Sequence, residues 1–289
     1  MKNFIIRGTV FFLLAFFGFG LIAHLRVSPM FIKFKNEQKG GWIKVHERIN
    51  RSKQKANFKR VYIGDSVGNQ LFDFDSTPNS FCSNAAVSLI GNYILIENLL
   101  ASNSQIEEII LVSVPNDIGW NFEQKLTFNN FVKPFLSFSN LNYIDDIVYD
   151  KLWEKPFSWL YIFYAVKILP ISDINFSDET ETSVSYLEEI KLTTLSDIAV
   201  HYLKKLDALC KEKNIFLKIV SPPVPEHWSH DTNNWANMKT QIDSLGLNSV
   251  FLNYFDEINY YPDNYFSDGL HLSEQYISHA REELLQKLD

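Results

Sequence analysis

A serine early in the chain and a histidine near its end are residue types that together can attack an ester. Ser66 follows a short apolar run that breaks at Gly64, whereas Asp268 and His271 lie three residues apart near the C-terminus. A serine hydroxyl becomes a good nucleophile when an imidazole accepts its proton and a carboxylate holds the imidazole. The spacing of Asp268 and His271 predicts that both side chains lie on one side of a single turn. These three residues are the candidate catalytic set.

The segments around these residues predict an α/β fold with a parallel sheet. Continuous short apolar runs are typical of strands buried on both faces. Strands that alternate with helices imply right-handed βαβ units and a doubly wound sheet. The predicted strands cover residues 60–63, 81–88, 109–114, 216–220 and 249–252, and the predicted helices cover residues 91–101, 194–213, 234–245 and 273–287.

The predicted fold brings the candidate residues to one edge of the sheet. Ser66 and Asn116 each directly follow a predicted strand, and Asp268 and His271 come after the last one. In open α/β sheets the ligand site lies at the carboxyl ends of the strands. Each of these short motifs alone is typical of an ordinary turn. Their order along the chain, after successive strands, favours a functional site.

The composition indicates a globular chain with a large core. Of the 289 residues, 46% are apolar and 15% are aromatic, which excludes a disordered chain. Cys82 and Cys210 are too few for a disulfide framework, and we expect both to be buried free thiols. The acidic residues and histidines at 226–231 have a spacing that a metal could use, but they follow a proline-rich loop and are better interpreted as a solvated loop. We therefore expect no metal and no cofactor.

The charge is divided unevenly along the chain. Residues 1–60 contain 13 Lys and Arg and 2 Asp and Glu, a net charge of +11, whereas residues 61–289 contain 14 and 32, a net charge of −18. A nucleic-acid-binding surface neutralises phosphates with basic side chains, and an acidic body offers no such surface. Nucleic acid is therefore excluded as a partner.

The first 26 residues predict a membrane anchor. Eighteen residues without formal charge, from Gly8 to Leu25, lie between Arg7 and Arg26. As a helix they span about 27 Å, close to the ~30 Å hydrocarbon core of a bilayer. A cleaved signal peptide is the alternative interpretation, with a weak cleavage site at residues 21–23. Basic residues on both sides of the run leave the orientation open.

The chain divides into three predicted parts. Residues 1–26 form the anchor, residues 27–58 a basic juxtamembrane segment, and residues 59–289 the α/β domain. Within that domain, residues 118–190 are aromatic and irregular, with apolar clusters of helical length. We interpret them as a helical insertion packed over the sheet.

Residues 64–68 also fit the Gly-x-Ser-x-Gly nucleophile elbow of α/β-hydrolases, whose catalytic partners follow in the same order. That elbow lies deep within a sheet, after earlier strands whose loop supplies half of the oxyanion hole. Here an anchor and a basic segment precede Ser66, which argues against the elbow. An α/β-hydrolase esterase is therefore kept as the alternative fold.

Four short blocks together resemble the SGNH (GDSL-type) hydrolase superfamily. Gly-Asp-Ser at residues 64–66 matches the first block, and residues 84–88 followed by Gly91 resemble the second. Val-Pro-Asn-Asp at residues 114–117 resembles the third, and Asp-Gly-Leu-His at residues 268–271 matches the fifth. The resemblance implies a three-layer α/β/α, flavodoxin-like fold with a parallel central sheet.

The resemblance also implies a role for each residue of the site. Ser66 is the expected nucleophile, His271 the base, and Asp268 the residue that orients the histidine. The backbone N–H groups of Ser66 and Gly91 and the side chain of Asn116 are the expected oxyanion donors.

Two positions depart from the pattern of the superfamily. Val114 stands where the third block has glycine, and Leu89 stands at the usual glycine of the second block, with Gly91 two residues later. Any residue except proline supplies a backbone N–H, so these changes affect the geometry of an oxyanion hole more than its existence.

The anchor, the aromatic insertion and the Pro-Pro-x-Pro segment at residues 222–225 resemble envelope proteins of this superfamily, which are associated with O-acyl transfer onto cell-surface glycans. We expect a membrane-anchored serine esterase or O-acyltransferase that acts on acylated glycans or polymers of a bacterial envelope, or on a small ester, with its catalytic domain outside the cytoplasm. A membrane protein that transfers acyl groups is the expected partner. The alternative function is a non-catalytic protein of the same fold that binds or assembles envelope components.

Overall fold

A parallel sheet of three strands is the centre of the structure. The computed structural model describes residues 2–26, 42–83, 89–119, 142–148 and 195–288. Strand β1 (Arg60–Gly64) pairs in parallel with β2 (Glu108–Val112), and β2 pairs in parallel with β3 (Phe216–Val220). The prediction of an α/β fold with a parallel sheet is therefore confirmed.

Helices precede, connect and follow these strands. The described helices are α1 (Lys2–Arg26), α2 (Trp42–Ser52), α3 (Ser66–Leu71), α4 (Leu89–Ser102), α5 (Pro115–Gly119), α6 (Asp197–Lys213), α7 (Thr232–Ser244), α8 (Asn248–Phe251) and α9 (Glu274–Leu288). Strands β4 (Val224–Pro225) and β5 (Tyr260–Tyr261) form a second, two-stranded parallel sheet. A 3₁₀ helix follows each of these strands, at Glu226–Asp231 and at Asp263–Tyr265.

Both faces of the sheet are buried along β1 and β2, which explains the continuous apolar runs of these two strands. Along β2, Ile109 and Leu111 belong to the core on one face, and Ile110 and Val112 belong to the core on the other. Helices α4 and α6 contribute side chains to the first core, and α3 and α9 contribute to the second. Successive strand residues point to opposite faces, so a strand covered on both sides shows no polar alternation.

Residues 79–83 extend the sheet beside β1 without forming a full strand. The Phe81 N–H donates to the Tyr62 carbonyl (2.7 Å), and the Ser83 N–H donates to the Gly64 carbonyl (3.0 Å). One isolated parallel bridge joins this segment to β1. The strand predicted to begin at Phe81 is reduced to this pairing, and the rest of that prediction falls outside the described residues.

The strand predicted at residues 249–252 is wrong. The chain forms the short helix α8 there, in which Val250 and Phe251 are buried. The next strand after α8 is β5, which pairs with β4. A short apolar run contains too few positions to distinguish the period of a strand from one turn of a helix.

Helix α2 contributes to the same core as the sheet, although it lies in the predicted juxtamembrane segment. Its Ile49 is buried in the first core, and the Ser102 hydroxyl of α4 donates to the Ser52 carbonyl at its end (2.8 Å). The buried Arg48 donates through Nε to the Cys82 carbonyl (2.9 Å). Helix α2 is therefore packed against both α4 and the segment beside β1.

Arg51 of α2 holds the same segment. Its guanidinium donates to the carbonyls of Ser80 (3.0 Å) and Pro78 and lies 3.5 Å from the centre of the Phe74 ring. Burial, and then repulsion from Arg48, lowers the pKa of Arg51 to about 10. Two basic residues of α2 therefore fix the segment that runs beside β1.

Both cysteines are buried free thiols, as predicted. Cys82 lies beside β1 and Cys210 lies in α6. Burial raises the pKa of each thiol to about 12. Because the thiolate is the reactive form, both groups are inert at neutral pH.

The structure describes only part of the regions outside the sheet. The described residues include no helix that is long and apolar enough to cross a membrane. The anchor in residues 1–26 stays a prediction. Most of the predicted insertion, residues 118–190, lies outside the described part, which includes residues 142–148 of it.

Residues 142–148 contact α6 through polar groups. Oδ2 of Asp145 lies 2.7 Å from Nε2 of His201 and 2.7 Å from Nζ of Lys205. The Asp145 N–H donates to the Tyr202 hydroxyl (3.1 Å). His201 therefore has a partner in this segment.

We expect Gly64→Ala to destabilise the sheet, because its methyl group would lie 2.6 Å from the Val112 carbonyl oxygen. Backbone cannot move aside as a flexible side chain does, so we expect a loss of ~1–3 kcal/mol in the free energy of unfolding, measured by urea denaturation. Gly68→Ala is the matched control, because its methyl group would meet the Cys82 sulfur at 3.1 Å and alanine favours the helix. Equal losses in the two variants would contradict this explanation.

Candidate active site

Ser66 lies where β1 ends and α3 begins. The strand ends at Gly64, and the buried Asp65 caps the helix with its carboxylate. Oδ1 of Asp65 accepts hydrogen bonds from the N–H groups of Val67 (2.9 Å) and Gly68 (3.5 Å). Aspartate is favoured at this position because it satisfies N–H groups that have no acceptor within the helix. The Gly-Asp-Ser sequence therefore ends the strand, starts the helix and places Ser66 at its first position.

His271 lies in a turn that Asp268 holds together. Oδ1 of Asp268 accepts hydrogen bonds from the N–H groups of Leu270 (3.1 Å) and His271 (2.7 Å). Gly269, inside this turn, has a φ of +79°, a conformation that residues with a Cβ rarely adopt. The Asp-Gly-x-His spacing is therefore required by the turn as well as by the chemistry of the side chains.

The turn is closed at its base by residues that reach the core. Phe266 and Leu272 form an isolated antiparallel bridge, and both side chains are buried. The Ser267 N–H (2.7 Å) and hydroxyl (3.0 Å) both donate to the His271 carbonyl. The imidazole is therefore carried by a short closed loop, residues 266–272, which precedes α9.

The structure brings Ser66, His271 and Asp268 into one hydrogen-bonded chain. Nε2 of His271 lies 2.9 Å from Oγ of Ser66, and Nδ1 of His271 lies 2.7 Å from Oδ2 of Asp268. An ionised carboxylate can only accept, so in the neutral form of the His271 ring the proton is on Nδ1. Nε2 then has the lone pair that accepts the serine proton.

Asp268 is ionised although it is partly buried. Burial raises the pKa of this carboxyl, but hydrogen bonds from the His271 N–H, the His271 ring and the Leu270 N–H together hold the pKa below its usual value. The side chain of Asp268 is 52% exposed and that of His271 is 27% exposed, so solvent screens their attraction. The carboxylate therefore acts mainly by fixing the tautomer and orientation of the ring.

Two further carboxyl groups, Asp65 and Asp117, lie next to the site. Asp65 interacts electrostatically with both Asp117 and His271. Asp117, just after β2, accepts from the Ser113 hydroxyl (3.1 Å) and the Val114 N–H (3.0 Å). Burial, and then repulsion from Asp65, raises the pKa of Asp117 well above its usual value.

Burial also raises the pKa of Asp65, although its capping hydrogen bonds and its attraction to His271 act in the opposite direction. Neighbouring carboxyl groups that are desolvated do not both ionise freely, so this pair tends to hold a proton.

Tyr254 fixes the chain at Ser113, directly after β2. Its buried hydroxyl donates to the Ser113 carbonyl (2.7 Å). Burial, and then the negative charge of Asp117, raises the pKa of this phenol well above its usual value. The phenol therefore stays protonated and remains a donor. Ser113 is held at its carbonyl by Tyr254 and at its hydroxyl by Asp117.

The structure describes the three expected oxyanion donors to different extents. Ser66 is the first residue of α3, where backbone N–H groups lack an acceptor within the helix. Gly91 lies buried in the first turn of α4, and residues 84–88 before it fall outside the described part. Asn116 is the second residue of α5, and its side chain also falls outside that part. The oxyanion roles of all three stay predictions.

Sequence reasoning missed the contributions of Asp117 and Tyr254. A signal existed for Asp117, because an acidic residue in the first turn after a strand commonly binds the N–H groups that open the next helix. Tyr254 gave no signal, because its partner Ser113 lies 141 residues away in the chain.

The histidine at the start of the 226–231 segment makes a separate contact. Nδ1 of His227 lies 2.9 Å from Oδ1 of Asp263, which also accepts from the His227 N–H (3.1 Å). This contact joins the two 3₁₀ helices. Within the described ranges, groups of three or more His, Cys, Asp or Glu that could hold a metal ion are not found.

The fold and the site define an α/β protein with a Ser–His–Asp chain beside a parallel sheet. No protein family, no curated protein and no solved structure was found to match this chain. Its function must therefore be argued from the geometry and chemistry of the site.

We expect Asp117→Asn to change how the stability of the protein depends on pH. Because the pKa of Asp117 is raised in the folded state, the folded protein binds the proton of this carboxyl more tightly than the unfolded chain does. The stability that this proton contributes is complete below the unfolded-state pKa and is lost as the pH rises through the folded-state pKa. The amide cannot ionise, keeps an acceptor for the Val114 N–H and removes the repulsion with Asp65. The variant should therefore gain stability relative to the wild type as the pH rises above about 4.

Urea denaturation at several pH values between about 4 and about 8 measures this difference. Asp117→Ala is the control, because it also removes the charge but loses both hydrogen bonds. Its stability should lie below that of Asp117→Asn at every pH. Parallel pH curves for the wild type and Asp117→Asn would show that the raised pKa is not a property of Asp117.

Proposed function

We propose that this protein is a serine esterase or O-acyltransferase with an SGNH-type fold. The observation that carries the proposal is the chain from Asp268 through the His271 ring to the Ser66 hydroxyl, with distances of 2.7 and 2.9 Å. Ser66 lies at the carboxyl end of a parallel strand, where α/β folds bind their ligands. The parallel sheet with helices on both faces supports the three-layer, flavodoxin-like form of that fold.

In the first half-reaction the Ser66 oxygen attacks the carbonyl carbon of an ester. Nε2 of His271 takes the serine proton while the new C–O bond forms and the carbonyl π electrons move to oxygen. Asp268 stabilises the imidazolium and stays ionised. When the carbonyl forms again, the ester C–O bond breaks and the imidazolium protonates the leaving alcohol. The products are that alcohol and an acyl ester of Ser66.

In the second half-reaction a hydroxyl compound takes the place of the alcohol. His271 takes the proton of this hydroxyl compound, and the oxygen of the compound attacks the acyl carbon. The proton then passes from His271 to the Ser66 oxygen as the acyl–serine bond breaks. With water the product is a carboxylic acid, and the protein is a hydrolase. With a sugar hydroxyl the product is a new ester, and the protein is a transferase. Exclusion of water from the site decides between the two.

The intermediates of both half-reactions carry a negative charge on the former carbonyl oxygen. We assign the Ser66 N–H, the Gly91 N–H and the Asn116 side chain as its donors. Loss of one such donor typically costs ~10²–10³ in rate. Two features favour the alternative function, a non-catalytic protein of the same fold: Val114 in place of the glycine of the third block, and Leu89 at the usual glycine of the second block.

The cellular setting is proposed from the sequence. The uncharged run from Gly8 to Leu25 supports a membrane anchor, with the α/β domain outside the cytoplasm in a bacterial envelope. The substrate is then an acylated glycan or a small ester, and the partner is a membrane protein that transfers acyl groups. Protease treatment of intact spheroplasts tests this placement, because protection of the domain would contradict it.

We expect a fluorophosphonate to label the wild-type protein at Ser66, and we expect turnover of p-nitrophenyl acetate. Ser66→Ala removes the nucleophile and His271→Ala removes the base, so both variants should lose labelling and turnover. His201→Ala is the matched control, because His201 also lies 2.7 Å from a carboxylate, that of Asp145, and it should keep both.

Equal labelling of the wild type, Ser66→Ala and His271→Ala would remove the enzymatic proposal and favour the non-catalytic alternative. Strong labelling of the wild type with very slow hydrolysis would instead favour a transferase, because the nucleophile would be active while water is a poor acceptor.

We expect Asp268→Asn to lower kcat by up to about 10⁴-fold with little change in KM, because an amide does not fix the Nδ1–H tautomer of His271 as a carboxylate does. Steady-state kinetics with p-nitrophenyl acetate measures both values. Asp263→Asn is the matched control, because the Asp263 carboxylate also contacts a histidine ring and accepts from the backbone N–H of the same residue, His227. The side chain of Asp263 is 58% exposed and that of Asp268 is 52% exposed. A kcat that Asp268→Asn leaves unchanged would contradict the orienting role.

A further inference from the structure

The side chain of Gln70 joins the helix that carries Ser66 to the loop that carries His271. Its Nε2 donates to the Leu272 carbonyl (3.1 Å), and its Oε1 accepts from the Leu272 N–H (3.0 Å). One amide therefore satisfies both polar backbone groups of one residue, as a neighbouring strand would. We call these two hydrogen bonds the amide clamp. It joins residues 202 positions apart in the chain.

The amide clamp lies beside the reacting groups at both of its ends. Gln70 and Ser66 are four residues apart on α3, and residues at this spacing are neighbours on one face of a helix. Leu272 directly follows His271. The clamp is therefore one helical turn from the hydroxyl and one residue from the imidazole.

Leu272 is also held by the core. Its side chain is 3% exposed and belongs to the second core together with Leu71 and Phe72, which follow Gln70 in the chain. The hydrogen bonds that Asp268 and Ser267 make to the backbone lie within the loop of residues 266–272. Those bonds shape the loop, whereas the clamp and the packing of Leu272 set its position against α3.

That position must be accurate while the serine changes its bonding. The Ser66–His271 hydrogen bond is lost when the serine oxygen carries an acyl group, because the hydroxyl proton is then absent. The imidazole must nevertheless stay in place to activate the second hydroxyl compound. The amide clamp uses backbone groups that take no part in the reaction, so it persists through both half-reactions.

We infer that Gln70 is a positioning residue, which holds the His271 ring at the Ser66 oxygen through the backbone of Leu272. This inference rests on the proposed function, since it assigns a role within the same site. Gln70 acts through the loop, since both of its amide hydrogen bonds go to the backbone of Leu272. Its removal should therefore lower kcat and leave KM nearly unchanged.

Gln70→Met tests the inference, because methionine keeps the length of the side chain and removes both polar groups. Gln241→Met is the matched control. Gln241 is also half-buried on a helix, and its Oε1 accepts from the Leu195 N–H (3.0 Å). The measurements on the full chain are kcat and KM for p-nitrophenyl acetate, the rate of fluorophosphonate labelling, and hydrogen exchange of the Leu272 amide.

We expect Gln70→Met to lower kcat and the labelling rate by about 10–100-fold, because a misplacement of about 1 Å costs about 10²-fold in rate. Exchange of the Leu272 amide should become faster, since its acceptor is lost. Gln70→Glu keeps an acceptor for that amide and should recover part of the rate. Gln241→Met should leave all of these values close to those of the wild type.

Faster exchange of the Leu272 amide together with an unchanged kcat would overturn the positioning role. A wild-type protein that is neither labelled nor active overturns the proposed function itself, a failure recognised before any variant is compared. Thermal melts identify a variant that is unfolded. If Gln70→Met does not fold, Gln70→Glu replaces it in the comparison, with the same expected direction in kcat and labelling rate.

Discussion

The hydrogen bond between Nε2 of His271 and Oγ of Ser66 joins two side chains that are 205 residues apart in the chain. Strand β1 and the cap formed by Asp65 set the position of the hydroxyl. The closed loop of residues 266–272 sets the position of the imidazole. A contact of 2.9 Å therefore depends on both ends of the α/β domain folding onto the same sheet. The rest of the site is arranged around this contact.

Two acidic groups interact with the imidazole of His271, one at the surface and one buried, and a third lies next to the buried one. Asp268, at the surface, is ionised and accepts from the ring. Asp65 is buried and interacts with His271 through space, and Asp117 lies next to Asp65. In the proposed mechanism, negative charge near the ring would stabilise the imidazolium that forms when the serine is deprotonated. Burial raises the pKa of both Asp65 and Asp117, whereas the pKa of Asp268 is lowered, so the negative charge is concentrated on Asp268.

The sequence predicted the parts of the structure that are determined locally. Strands β1 and β2 are buried on both faces, and β3 is apolar except for Lys218, so these segments can be recognised without knowledge of their neighbours. The proximity of Asp268 and His271 could also be predicted, because both residues lie in one turn. The contact between Gln70 and Leu272 could not be predicted, because it depends on how two segments 202 residues apart in the chain pack together. Helix α8 was misread because its apolar run is as short as one helical turn.

The folded domain begins earlier in the chain than its charge pattern suggests. The basic residues of α2 were interpreted as part of a juxtamembrane segment, yet Arg48 and Arg51 bind the backbone beside β1 and Ile49 enters the core. Truncating the protein at residue 59 would uncover α4 and release the backbone at residues 78–82, which Arg48 and Arg51 bind. Shortened forms prepared for biochemistry should therefore start ahead of Trp42, because inactivity of a smaller fragment would reflect a damaged edge of the sheet and would not test the proposed function.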